Sequence, residues 1–547
     1  MIRSTLVLAA LVLAACGSDE KPSAPRKTRF VSVASEVGLD FQHTRGATSR
    51  RHIFETMGGG AALRDFDGDG RLDVFVVDGA DSGLGNRLFL QDDGRFVDRT
   101  EGSGLERHAI GMGCITADYD GDGDVDLYVL EYGPNRLYRN EGGGHFVDVT
   151  EEAGVVDEHW SVSACFVDID EDGWLDLYVA NYLDYHVETA RPCFVEGRLI
   201  PIHCPPREYP GQPDSLFRNR GDGTFEDVSE SSGIRVTPPG KGMGVVAFDY
   251  DSDGHQDLYV ANDSVANFLF RGDGRGGYEE VARSMGTALS GEGNAEAGMG
   301  IAVGDYDVDG DFDLFVTNFM NETNTLYQNV SGEQFLDHTS ATGVGSVSRP
   351  FVGFGTFFFD YDNDGWLDLF IANGHVDDNI RQYWPGITYA EPDLLLRGSK
   401  EGRFRNLSPE SGDYFHEKWV GRGASQGDID RDGDLDVLIV NSGGPLVLLR
   451  NEGGSDRSWL RVELRGAAPN TEAIGAIVAV TSGDVTQRRV VCAGGSYASD
   501  SERIAHFGLG EAKSVAKLEV TWPSGRKTVR TDVPARQALV LDEPAEE

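Results

Sequence analysis

The sequence predicts an all-β protein: a seven-bladed β-propeller with an acidic loop in each blade, followed by a small C-terminal β-sandwich-like domain. Three observations carry that prediction. One aspartate pattern recurs seven times between residues 65 and 436. Strand-like runs surround each copy in the same order. A strand motif that the last copy lacks stands instead at the head of the chain.

The loops come first. Each has Asp at positions 1, 3, 5 and 9 and Gly at 6: Asp65, Asp67, Asp69 and Asp73; Asp118, Asp120, Asp122 and Asp126; Asp168, Asp170, Asp172 and Asp176; Asp249, Asp251, Asp253 and Asp257; Asp305, Asp307, Asp309 and Asp313; Asp360, Asp362, Asp364 and Asp368; Asp428, Asp430, Asp432 and Asp436. Position 7 offers a main-chain carbonyl, from Arg71, Asp124, Trp174, His255, Asp311, Trp366 and Asp434 in turn. Such spacing curls alternate carboxylates onto one point, and Ca²⁺ takes 6–8 oxygens at about 2.3–2.6 Å. Without a cation the loop is unfavourable, since two unit charges 4 Å apart repel by about 4 kcal/mol at an effective dielectric near 20. The loop differs from an EF-hand, which has Glu at position 12 and runs into a helix. Position 12 of the sixth loop is Ile371, inside an apolar run. The expected complement is about seven Ca²⁺ per chain.

The flanking runs repeat as faithfully. A small-residue strand enters each loop (Gly59 to Arg64, Gly298 to Val303), and a nearly continuous apolar strand leaves it (Leu127 to Leu130, Leu258 to Ala261). A third strand carries Asn-x-Leu-Tyr/Phe-x-Asn, as at Asn135 to Asn140, and a fourth opens on an aromatic: Phe96, Phe146, Phe225, Tyr278, Phe335 or Phe404. Loop-to-loop spacings of 53, 50, 81, 56, 55 and 68 residues describe a unit of about 50 with two insertions. Four antiparallel strands in a unit of this length make a propeller blade, and second strands without alternation suit sheets buried on both faces. Phe30 to Gly38 repeats the fourth-strand motif ahead of the first loop, whereas the seventh loop is followed by only two strands. The N-terminal strand therefore completes the last blade and leaves no open edges there. The propeller spans 30–452.

Residues 459–541 form a separate β-domain with runs at Trp459–Leu464, Ile474–Thr481, Gln487–Val491 and Val515–Thr521, and 542–547 is an acidic tail expected to fray. At the other end, Arg3 and the apolar run Leu6 to Leu13 mark a signal segment over 1–15, too short to span a bilayer. Leu13-Ala-Ala-Cys16 resembles a bacterial lipobox with Cys16 as the acylated residue, and 16–29 reads as a flexible tether. An ordinary secretory signal cleaved near Ala15 is the alternative. The expected location is the bacterial outer membrane, facing the periplasm or the cell surface.

Net charge is −43, with 91 acidic and 48 basic residues, which excludes a nucleic-acid partner because phosphate binding needs Lys and Arg clusters. The loops account for 28 of those carboxylates, and seven Ca²⁺ would return fourteen positive charges.

The loops and their flanks resemble FG-GAP/VCBS repeats, the units of integrin α-chain heads. Asn470 to Ala476, Gly495-Ser-Tyr497, His506 to Gly510 and Trp522 to Arg526 look like an ASPIC/UnbV domain. Together they resemble the cartilage acidic protein family, here in a bacterial lipoprotein form. The resemblance implies a propeller fold with structural calcium on one face and partners on the other, and fixes no activity.

Two long insertions, Leu183–Pro213 and His375–Pro392, join second to third strands and so emerge on the face opposite the loops. The first is Pro-rich and contains Cys193 and Cys204, which in an exported protein are expected to form a local disulfide. A metal-binding pair with His203 is the alternative. Buried thiols are expected at Cys114 and Cys165, and Cys492 stands alone. On the second insertion Tyr383, Trp384 and Tyr389 are expected to be exposed and to bind a partner. A ring of Asp78, Glu131, Asn181, Asn262, Asn318, Asn373 and Asn441 at the second-strand ends reads as turn chemistry.

The chain has no Gly-x-Ser-x-Gly, His-Glu-x-x-His, Walker or Cys-x-x-Cys motif. The expectation is a non-catalytic protein that binds a protein or glycan of the envelope or extracellular space. Its rivals are a propeller-scaffold enzyme, for which His43, His52, His203 and His375 would gather on the insertion face, and a structural subunit of an envelope assembly.

Overall fold

The computed structural model describes residues 30–454 and 456–545. The signal segment, Cys16, the tether and residues 546–547 lie outside the described residues.

Among the described residues up to 451, seven four-stranded antiparallel sheets each follow strict chain order except the last. The second blade is typical: Gly111–Ala117, Asp126–Glu131, Arg136–Asn140 and Phe146–Asp148. In the seventh, Gly421–Gly427, Asp436–Asn441 and Val447–Asn451 are joined by Phe30–Ser32, with Phe30 opposite Asn451. The N-terminal strand thus occupies the outer edge of the last blade. The first strands pack against one another in cyclic order and the seventh returns to the first. Second strands such as Leu127–Leu130 are wholly buried between neighbouring blades, which explains their unbroken apolar character.

Polar stitches join the blades as well. Asn140, Asn219, Asn329 and Asn451, from the ends of third strands, each donate to the position-2 carbonyl of the preceding blade's loop at 2.7–2.9 Å. Gln91 does the same across the closure, to Ile429 O at 3.3 Å.

The C-terminal domain has two sheets. Ser458–Arg465 lies between Ala505–Gly510 and Gln537–Asp542, and Ile477–Ser482 lies between Val485–Val490 and Ser514–Thr521, with Lys527–Pro534 at the edge. Leu460, Val478, Phe507, Leu518 and Trp522 fill the space between them. Two sequence readings need correction here. The tail does not fray at its start: Asp542 pairs with Arg465, and Glu543 N donates to Arg465 O at 2.8 Å. The domain has a core of its own, yet it is not detached from the propeller. Its segment Ala493–Arg503 enters the propeller axis and touches all seven blades. Gly495 and Ser496 bond Val245 and Ile301, Ala498 O accepts from Cys114 N, and Asp500 pairs with Ala61 and Leu63. Ser496 Oγ donates to Ala424 O, the Tyr497 ring lies 5.0 Å from Phe354, and Gly494 abuts Cys165. This packing explains three of the first-strand glycines, Gly60, Gly113 and Gly423: a Cβ on Gly60 would sit 1.8 Å from Ala498 O.

Candidate functional site

The seven acidic loops share one face, and each is held by the same bonds. The position-9 aspartate is buried in all seven. One of its oxygens accepts the position-2 N–H at 2.8–3.2 Å. The other accepts a third-strand N–H at 2.7–2.9 Å. It is therefore a structural staple between loop and strand, a role the ligand reading of the sequence missed. Its signal was present, since the residue receiving the staple is Gln, Asn or Gly in every repeat. The position-5 carboxylate accepts the position-7 N–H in all seven loops.

Two residues per loop are left-handed. Gly at position 6 is one, as the sequence predicted, with φ of 84° to 102°. Position 4 is the other and is often not glycine; Val308 stands there at φ 61°. A β-branched side chain in that region is strained, and such strain is tolerated where the surroundings over-determine it.

Carboxylate oxygens of positions 1, 3 and 9 gather within 4.8 Å of one another in loops 1, 3, 4 and 5, and those of positions 1, 3 and 5 do so in loop 2. Burial, with neighbouring carboxylates adding to it, pushes Asp73 and Asp305 up to about 7 and Asp257 up to about 8. Asp120, Asp168, Asp170 and Asp307 each keep a buried oxygen that receives no hydrogen bond. Hard anionic donors, clustered, desolvated and partly unpartnered, fit a divalent cation of the calcium type. Arginines sit beside some loops: Arg397 and Arg457 reach Asp362 at 2.9 and 2.8 Å, and Arg218 reaches Asp170 at 2.5 Å.

The C-terminal domain packs on the loop face at loops 2, 5, 6 and 7, while residues 68–70 of loop 1 and 252–254 of loop 4 stay exposed. Arg461 bonds Asp428, Thr471 bonds Asp118, Arg488 donates to Gly310 O, and His506 meets Asn363.

The opposite face is built from residues 40–57 and the two insertions. Cys193 and Cys204 are joined in a disulfide that staples a hairpin of Cys193–Phe194 and Pro201–Ile202. The hairpin is tied to the second insertion: Asn379 Nδ2 donates to Pro201 O at 2.7 Å, and His203 Nδ1 donates to Asp377 Oδ1 at 2.9 Å. Glu55 lies 3.8 Å from His203 Nε2, and Tyr383 donates to Asp377 at 2.6 Å. Burial opposes a charge on His203, but the bond to Asp377 and the nearby Glu55 carboxylate outweigh it and raise its pKa. His52, His203 and His375 do meet around this cluster, as allowed for in the sequence. His43 is buried, with its neutral form favoured by desolvation.

The expected aromatic patch is corrected in two of its three members. Tyr383 is half-buried on Asp377, and Tyr389 accepts from Arg45 at 2.6 Å under its guanidinium. Trp384 is 49% exposed. The sequence reading passed over Phe194 and Leu199, which the stapled hairpin holds 48% and 92% exposed. Cys114 and Cys165 are buried thiols, and Cys492 is a partly buried one. The second-strand ring is buried turn chemistry: Asp78 accepts from Thr44 N, Asn262 from Lys241 N, and Asn373 donates to Pro392 O.

The chain matches the FG-GAP-like repeat model at residues 65–129, 118–179, 209–260, 249–316 and 305–371, and the ASPIC and UnbV model at 466–547. It is 27% identical over 337 residues to cartilage acidic protein 1 of Mus musculus, covering 60% of this chain and 49% of that one. The Homo sapiens protein of the same name is also 27% identical, with 60% and 48% covered. The chain thus spans about half the length of these curated relatives. Among solved structures, the BP39L lectin from Burkholderia pseudomallei aligns over 73% of this chain and 97% of its own at 11% identity, with a TM-score of 0.42. With repeats over the propeller and the second model over the C-terminal domain, this chain belongs to the FG-GAP-like repeat family, in the form that carries an ASPIC and UnbV domain.

Proposed function

We propose that this protein is a non-catalytic, calcium-loaded binding protein of the bacterial envelope, which captures a protein or glycan on its insertion face. In this reading Cys16 carries the lipid anchor at the outer membrane. The propeller is a binding scaffold, and one observation selects the face. Much of the loop side is taken by the protein's own C-terminal domain, whereas the insertion side holds Trp384, Phe194 and Leu199 toward solvent on loops tied by a disulfide and by His203. Rigid loops lose little entropy on binding, and a few anchors, tryptophan prominent among them, supply most of the energy of such a contact. His203 lies between two carboxylates and serves as a clamp between loops in this reading, not as a base.

In the loops, the position-1, -3 and -9 carboxylates would hold Ca²⁺, with position 5 and the position-7 carbonyl beside them. The ion supplies charge neutralisation to groups that otherwise repel. The test is a pull-down from envelope extract with wild-type protein and with the Trp384→Ala and Leu199→Ser variants, all in calcium. Captured material is expected to fall sharply for both variants at an unchanged melting temperature. Equal capture by all three would refute the choice of face.

A further inference from the structure

Two of the seven loops receive the same pair of contacts from the C-terminal domain. At Asp118, Thr471 Oγ1 donates to Oδ2, and Glu472 accepts the main-chain N–H at 3.0 Å. At Asp428, Arg461 Nη1 donates to Oδ2 at 2.8 Å, and Glu502 accepts the N–H at 3.1 Å. Both residues are position 1 of their loops, and both already take the position-6 N–H on Oδ2, from Gly123 at 2.9 Å and Gly433 at 3.0 Å. The added donor and acceptor fix the carboxylate and its backbone together. Loops 2 and 7 belong to the blades on either side of blade 1, so the domain grips the ring at two separate points. From this grip the segment Ala493–Arg503 runs into the axis.

We infer that the C-terminal domain and the loop cations bind cooperatively: the domain is the outer hydrogen-bonding layer of loops 2 and 7, and the cations hold the domain docked with its axial segment in place. The inference rests on the reading that the loops take calcium. Hydrogen-bond partners that orient a ligating carboxylate matter to affinity, and losing one typically lowers metal binding 10–100-fold. Coupling of this kind is reciprocal, so whatever the domain adds to cation affinity the cation adds to docking. The physical route is short. Unneutralised carboxylates repel and spread the loop, which displaces the position-1 group that Thr471 or Arg461 must meet.

The experiment uses the full chain and calcium itself. Calorimetric titration of wild type should count about seven sites. Thr471→Val should weaken one of them about 10–100-fold, and Thr471→Ser, which restores the hydroxyl, should recover it. Should Thr471→Val fail to fold, Thr471→Ala, which also removes only the neutral hydroxyl donor, poses the same question. In parallel, hydrogen exchange of residues 493–503 should be faster in chelator than in calcium. If wild type takes up no calcium, the loop reading fails and this inference falls with it. If wild type loads and Thr471→Val titrates identically, or if 493–503 is equally protected in chelator, cooperativity is refuted while the loops stand.

Discussion

Asp257→Asn in the fourth loop separates the two jobs of a position-9 aspartate. The side chain is fully buried, its Oδ2 accepts Tyr250 N at 3.0 Å and its Oδ1 accepts Gly272 N at 2.9 Å. Asparagine keeps one accepting oxygen, so one buried N–H loses its partner at a cost of about 1–3 kcal/mol. That loss is present with or without a cation. In chelator it is partly offset, because the variant no longer carries a carboxylate that burial disfavours and pushes up to about 8. In calcium a second loss is added. A site at 100 times its dissociation constant stabilises the fold by about 2.7 kcal/mol, and the variant forfeits most of it. Urea unfolding of wild type and variant should therefore show a penalty of about 4–6 kcal/mol in calcium and no more than about 1–3 in chelator. Equal penalties in the two buffers would refute the cation, and no penalty in either would refute the staple as well.

Three further outcomes are expected. Deleting residues 30–36 removes the outer strand of blade 7 and exposes Val447–Asn451 as an edge, so the truncated chain should self-associate in gel filtration; a monomer with an unchanged melt would contradict the closure. The His203 clamp gives the insertion face a pH dependence. His203 is raised above its ordinary 6.5 while Asp377 and Glu55 are lowered. Its contribution is thus complete below about 6.5 and lost as pH rises through the raised value, and the carboxylate contributions are lost only as pH falls below about 4.5. Arg51, His52, His375 and Tyr383 face the same cluster. Hydrogen exchange of 201–205 and 375–383, corrected for intrinsic rates, should be faster at pH 9 than at pH 6, and His203→Gln should remove the difference. An identical pH response in that variant would assign it elsewhere. Asn140→Ala should lower the melting midpoint through the lost bonds to Phe66 O and Val125 O, by an amount corresponding to about 1–3 kcal/mol; an unchanged midpoint would show that the side-chain stitch adds nothing to the main-chain bonds, such as Gly144 N to Phe66 O, that also join blades 1 and 2.

Much of the propeller was legible because it is a repeat. A pattern present seven times reveals loop, strand order and closure even where a single copy is ambiguous, and Phe30 announced its place by matching Phe146. What was not legible comes from contacts between distant parts of the chain. Nothing local in Gly494 to Arg503 says that it fills a propeller axis, because the glycines that make room for it, among them Gly60, Gly113 and Gly423, lie in other blades far away in sequence. Lys527–Pro534 was missed as a strand because it is an edge with most side chains in solvent. Tyr383 and Tyr389 read as exposed because an aromatic on a long polar loop gives no sign that an Asp or Arg will hold it. Leu199 was passed over for the converse reason, since a single leucine beside a Gly-Arg turn reads as loop filler until the hairpin is seen to point it outward.

Elemental analysis joined to a melting scan decides whether the seven loops are cation sites that stabilise the fold. Protein dialysed against trace calcium should carry about seven calcium ions per chain and should melt well below that temperature once a chelator has stripped them. A chain with no bound divalent metal and the same melting temperature in both buffers would contradict the account.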